Sequence, residues 1–267
     1  RFRVAGLPLG ETPEERLDGV RAQLDAGFCG IRIGEGLIEA EPALLDAIGA
    51  AGAAVVAVGA NGLARVTMQL AAFLNRHAGG VVVAPHFASG APPDLLDRLP
   101  GLDRLYRHER FHVVFSRHGM FPREPLLAWA RSVLARTGWE RVLWGSEYPV
   151  ALYRDETYAS TALWIDGTGL DPTPAQRRAY LADNAARVWF GPRARAARPL
   201  DPRWCRMELK TPAPVWLFPH GALDVPEEAN RRILEAFLAA GGDRAGSYRA
   251  FVTRLLAAVD PRKFPPV

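Results

Sequence analysis

The chain has 267 residues, 49% of them hydrophobic, which is enough to fill the core of one large α/β domain or two modest ones and excludes a disordered chain. A formal charge of +4, from 33 basic and 29 acidic residues, is too small and too scattered for a nucleic-acid reader, and the densest basic stretch, Arg193 to Arg198, lacks interleaved aromatics. No apolar run approaches the ~20 residues of a membrane span. Two distant cysteines, Cys29 and Cys205, form neither a CxxC pair nor a disulfide scaffold, so a reducing, cytoplasmic setting without membrane or nucleic-acid partners is expected.

In chain order, Phe2 to Pro8 is a short apolar run. Thr12-Pro13-Glu14-Glu15 then supplies the N-cap, first-turn proline and acidic first turn of a helix that stops at Gly27. Cys29 to Ile33 reads as a strand, with Cys29 a small buried thiol. A helix over 43–51 and a strand over 53–58 follow, then a helix over 63–76. The valine-rich run Gly80 to Ala84 ends in Pro85-His86, and an amphipathic segment over 93–105 leads to Phe111-His-Val-Val-Phe-Ser116. A helix over 125–135 precedes the strand Arg141 to Trp144, which breaks into Gly145-Ser146-Glu147-Tyr148-Pro149. Each strand is apolar along its length, as a parallel sheet covered on both faces demands.

After Pro149 the rhythm changes. A helix over 175–188 contains Asn184-Ala-Ala-Arg-Val-Trp-Phe190, residues 193–214 form an Arg- and Pro-rich connector, and residues 215–267 form an extension with a possible strand at 215–218 and helices over 226–240 and 246–259. The expected organisation is an α/β barrel-like domain over 1–192, a connector over 193–214 and a C-terminal helical extension over 215–267. Six βα-type units fit either a (β/α)8 TIM-barrel-like fold or an open doubly wound sheet. No GxGxxG or Walker A sequence supports the nucleotide-binding versions of the latter.

Parallel strands deliver their C-terminal ends to one face, so Arg32, His86, Ser116, Arg117, His118 and Glu147 are candidates for one site. Imidazoles and a carboxylate can share a proton or bind a divalent cation, and guanidiniums suit a carboxylate- or phosphate-bearing ligand. Each also has a structural alternative. Glu147 could cap the next turn, His86 could hydrogen-bond a loop, and His118 could face solvent. Arg32, if interior, needs a partner, with Glu147 or Glu35 available. His77, His108 and His112 fall where histidines are more often structural, and His220 follows a second proline outside the βα run. No HxH or HExxH occurs, and Trp144-Gly-Ser-Glu lacks the second glycine of a nucleophile elbow.

Together, Val81 to His86, Phe111 to Ser116, Val142-Leu-Trp-Gly-Ser-Glu-Tyr-Pro149 and Asn184 to Phe190 resemble four motifs of the amidohydrolase-related family, in the same order and at similar spacing. The last two resemble its "GSDYP" strand and "NAxRLF" helix, and Phe28 to Ile33 is similar to its "GfrGvrl" strand. The resemblance covers roughly residues 1–190 and implies a metal-dependent TIM barrel with hydrolase or decarboxylase activity. It implies a metal held by an HxH after strand 1, a His after strand 5 and the Asp of "GSDYP", with the His after strand 6 as acid/base. His86 keeps that last position. Gly59 stands where the strand-5 His is expected, and Glu147 stands in place of the Asp. Phe2 to Pro8 matches strand 3, so strands 1 and 2 and the HxH are absent from the sequence, roughly 60 residues at ~30 per unit.

The expectation is therefore a hydrolase acting on a small carboxylate-bearing substrate by activated-water attack. His86 and Glu147 would be catalytic, the same two residues would be the remaining metal ligands, and Arg32, Arg117, His118 and Ser116 would bind substrate. The implied cofactor is a divalent metal, with zinc a candidate, if the site is intact, and none otherwise. The alternatives are a metal-free binding or assembly subunit and a non-oxidative decarboxylase, and the expected partners are a small-molecule substrate and either a second copy of the chain or a partner subunit.

Overall fold

A computed structural model of the chain describes residues 3–147 and 158–191. The connector, the C-terminal extension, Cys205, His220, Tyr148 and Pro149 lie outside the described residues. The described residues up to Glu147 and from Thr161 onward cluster as one compact unit.

Among the described residues six strands are all parallel and lie in sequential order. They are β1 (Ala5–Gly6), β2 (Gly30–Gly34), β3 (Ala54–Val58), β4 (Val81–Ala84), β5 (Phe111–Phe115) and β6 (Val142–Trp144). An open doubly wound sheet would reverse its strand order part-way. Sequential order without reversal is that of a barrel wall, here part of a TIM barrel. The helices are α1 (Pro13–Asp25), α2 (Glu35–Ala40), α3 (Pro42–Ala50), α4 (Thr67–Arg76), α5 (Leu95–Arg98), α6 (Pro100–Arg107), α7 (Arg123–Thr137), α8 (Tyr158–Ala162), α9 (Pro174–Arg178) and α10 (Asn184–Phe190).

Local chemistry accounts for the main boundaries. The Thr12 hydroxyl accepts from the Glu15 N–H while the Glu15 carboxylate accepts from the Thr12 and Glu11 N–H groups, closing a capping box on α1. Pro100 cannot continue α5 and restarts the chain as the first residue of α6, so the expected segment over 93–105 is two helices. The expected helix over 63–76 begins only at Thr67, because Asn61, Gly62 and Leu63 form a left-handed turn. Helix α2 lacks any cap or proline signal and was not foreseen.

The sheet has two distinct faces. Ile31, Ile33, Val55, Ala57, Val82, Ala84, Val113 and Val142 pack into the main core with the helices. The alternate residues point to the barrel interior: Arg32 pairs in register with Val56, Val56 with Val83, and Val83 with His112. The uniform apolarity of the strands therefore hides one interior cation and one interior imidazole.

The Asn184 motif is a structural tie. Asn184 is fully buried, and its side-chain amide donates to the carbonyls of Trp139 (2.6 Å) and Val142 (2.7 Å). Its oxygen accepts from Arg187, which also donates to the Glu140 carbonyl. The segment entering β6 is thus pinned to α10 at three points. Arg141 closes the same end, donating to the carbonyls of Tyr106, His108 and Arg136. Replacing Asn184 with Ala leaves buried carbonyls and a guanidinium without their partner. Asn184→Ala is expected to lower unfolding free energy by about 2–4 kcal/mol in urea titrations, and a change below about 0.5 kcal/mol would contradict this role.

Candidate active site

The C-terminal ends of β4, β5 and β6 bring His86, Ser116, Arg117 and Glu147 together. Glu147 is the hub. One carboxylate oxygen lies 2.5 Å from Arg117 Nε, and the other lies 3.1 Å from His86 Nδ1. His86 Nδ1 also lies 3.0 Å from Ser116 Oγ, and that hydroxyl accepts from the His86 backbone N–H at 3.1 Å. The Ser116 hydroxyl can accept from Nδ1 or donate to it, according to the tautomer, and a proton on Nδ1 would face Glu147 and make Nε2 the basic nitrogen. The side chains of His86 and Glu147 are 10% and 14% exposed, enough shelter for the ion pair to fix geometry.

Three of these four residues stand in the left-handed backbone region, His86 at φ 59°, Arg117 at φ 59° and Glu147 at φ 52°. Left-handed backbone costs a non-glycine residue about 1–2 kcal/mol, so three such residues at one hydrogen-bonded cluster mark a site held against local preference. His86 begins a full left-handed turn, with Phe87, Ala88 and Ser89 also at positive φ. Trp129 Nε1 donates to the Phe87 carbonyl at 2.7 Å and holds that turn. The left-handed turn after β3 is held likewise, the Tyr106 hydroxyl donating to the Gly62 carbonyl at 3.1 Å. After β6, a Cβ on Gly145 would lie 2.8 Å from Val114, so only glycine lets the chain turn close against β5 toward Glu147.

Arg32 lies on β2, half-buried on the interior face. It makes no hydrogen bond or ion pair among the described residues, although Glu147 and Glu35 were both available on sequence grounds. Glu147 is engaged by Arg117, and Glu35 accepts from the Ala60 N–H instead. Burial lowers the Arg32 pKa from its ordinary value, the neighbouring Arg117 charge lowers it further, and Glu147 partly restores it. The cluster therefore carries two guanidiniums against one carboxylate.

His118 is not solvent-facing. It is 5% exposed, edge-on to Phe87 and tilted on Trp164 with both centroids 5.2 Å away, and neither ring nitrogen has a hydrogen-bond partner. It supports the aromatic layer under the 86–89 turn and does not share the Glu147 cluster. Trp129, Tyr106 and Trp164 were missed as site supports, because an aromatic on an apolar helix face looks like ordinary core.

Among the described residues no group of three His, Cys, Asp or Glu side chains converges as a metal site. Gly59, at the position where a third ligand was expected, cannot carry a side chain without displacing a neighbour. A Cβ there would lie 2.3 Å from a Glu35 carboxylate oxygen. The residues present do not fit the divalent metal that the resemblance implies.

A family model for amidohydrolases matches residues 1–191. The chain belongs to the amidohydrolase family. Among solved structures it is similar to an amidohydrolase from Burkholderia multivorans with bound HEPES, at 18% identity and TM-score 0.50, over 69% of this chain and 73% of that one. It is also similar to 2,6-dihydroxybenzoate decarboxylase from Rhizobium, at 13% identity and TM-score 0.52, over 70% of each chain. At such identities the likeness establishes the fold. No curated protein matches the sequence. No helix among the described residues is long and apolar enough to cross a membrane.

Burial holds His118 down to about 4, and burial with the charges of Arg141 and Arg187 does the same to His112. Unfolded histidine titrates near 6.5, so both states are neutral at higher pH. As pH falls below ~6.5 the unfolded chain takes up protons first, and stability declines until the folded groups titrate near 4, a loss of about 2 kcal/mol per histidine at pH 5. Thermal melts should show a lower Tm at pH 5 than at pH 7, and His118→Phe should shrink that fall. An equal fall in the variant would contradict the assignment.

Proposed function

We propose that the chain is an amidohydrolase-family enzyme that hydrolyses a small, carboxylate-bearing substrate. The observation that carries this reading is Arg32, a half-buried guanidinium without a partner among the described residues, beside an Arg117–Glu147–His86 cluster that is already internally satisfied. A buried cation left unpaired is costly, and an anionic substrate group supplies the missing charge. Arg32 is the carboxylate clamp, since its planar fork matches two carboxylate oxygens.

The rest of the cluster supplies acid–base chemistry. Glu147 and Ser116 hold the His86 ring so that Nε2 is the basic nitrogen, as the acidic member of a catalytic triad does for its histidine. His86 takes a proton from water as that water attacks the substrate carbonyl, then returns it to the leaving group. Charge developing on the carbonyl oxygen is stabilised by the guanidiniums, whose positions are set before substrate arrives. Arg117 pairs with Glu147 and holds its carboxylate in place beside His86.

Arg32→Gln should weaken binding of small carboxylates by about 10- to 100-fold in calorimetry, the worth of one charged hydrogen-bonded contact, while binding of the matching amides stays the same. His86→Gln should lower kcat at least about 100-fold with little change in KM. Carboxylates and amides that bind equally, in wild type and in Arg32→Gln, would contradict the clamp. Release of carbon dioxide in place of a hydrolysis product would replace hydrolysis by decarboxylation. Binding without turnover would make the chain a binding subunit.

A further inference from the structure

The family resemblance implies a divalent cation at the carboxylate of the "GSDYP" strand. The residues around that carboxylate are arranged for a different cation. We infer that the cation serving Glu147 in this chain is the Arg117 guanidinium, and that the site functions without a divalent metal. The inference does not rest on the substrate proposed above.

Four observations support it. First, both Glu147 oxygens are taken, one by Arg117 Nε at 2.5 Å and one by His86 Nδ1 at 3.1 Å, so a metal would have to displace or crowd one of two sheltered contacts. Second, His86 Nδ1 is already set against the Ser116 hydroxyl at 3.0 Å and the Glu147 carboxylate at 3.1 Å, so a metal at that nitrogen would have to displace both contacts. Third, Arg32 and Arg117 act on one another electrostatically, with burial the larger influence on Arg32. A divalent ion at Glu147 would add two positive charges to a half-buried cluster already positive by one, where ordinary metal ligands are neutral or anionic.

Fourth, the space at Gly59 is filled by the Glu35 carboxylate, which is held by the Ala60 N–H at 3.0 Å. A side chain at residue 59 would have to displace the Glu35 carboxylate from that hydrogen bond, and no third donor joins His86 and Glu147 among the described residues. The substitution is chemically coherent. A guanidinium stays charged at every working pH, directs fixed N–H groups at one carboxylate, and fulfils the electrostatic role of the ion without an exchangeable ligand set.

Elemental analysis by plasma mass spectrometry on the full chain, with thermal melts in EDTA and in excess Zn²⁺ or Mn²⁺, tests this. Expected are substoichiometric metal, about 0.1 equivalents or fewer, and a Tm unchanged within about 1 °C by chelator or metal, because no folded-state site is there to shift it. Arg117→Gln should lower Tm by about 5 °C or more whether or not EDTA is present, and Arg117→Lys should recover part of that loss. Near-stoichiometric metal that depends on Glu147, being lost in Glu147→Gln, or a wild-type Tm that falls on chelation, would overturn the inference. So would an Arg117→Gln variant that melts with the wild type. None of these readouts requires the substrate, so a failed clamp and a failed metal-free site are distinguishable.

Discussion

The Glu147 carboxylate is the contact on which three strand ends depend. Arg117 arrives from β5, His86 from β4 and Glu147 from β6, and each meets the others with its backbone in the left-handed region. No local preference of His, Arg or Glu favours that backbone, so the ion pairs and the packing beneath must offset its cost. Trp129 does this for the turn after β4 by holding the Phe87 carbonyl, and Gly145 does it after β6 by letting the chain lie close on β5. Strain at the strand ends and order in the aromatic layer are two sides of one arrangement.

The electrostatics follow from that geometry. Once Arg117 and His86 satisfy Glu147, the charge left over is the one on Arg32, further back on β2 and facing the interior. Among the described residues no side chain pairs with it. Membership of the amidohydrolase family carries the fold of the strand ends where these side chains meet. It does not fix which cation works there, and here the side chains that set the cation have changed.

Much of the fold was legible because it depends on repeating, short-range patterns. Valine-rich runs marked the strands, Thr12 and Pro13 marked the start of α1, and the Asn184 motif marked a real tie between α10 and β6. The left-handed turns were not legible. His86-Phe-Ala-Ser89 holds no glycine or asparagine to signal positive φ, and the turn exists because Trp129, 42 positions away, holds it. The same limit applied to the site. His86, Ser116, Arg117 and Glu147 were recognised as neighbours because parallel strands deliver them to one face. That Arg117 pairs with Glu147 while Arg32 has no partner among the described residues depends on side-chain reach across the barrel, and that His118 is buried depends on Trp164, which no local pattern reveals. Gly59 was visible as a departure, but the carboxylate of Glu35 that occupies the space beside it was visible only in three dimensions.

The central claim is that Arg117 and Glu147 stabilise one another as a sheltered pair at the heart of the site. A double-mutant cycle with Arg117→Gln, Glu147→Gln and the combined variant, measured by denaturant unfolding, tests it most directly. The account predicts a coupling energy of about 1–3 kcal/mol, with the double variant more stable than the sum of the two losses implies. Additivity within about 0.5 kcal/mol would mean that the two residues do not act as a pair and would contradict the account.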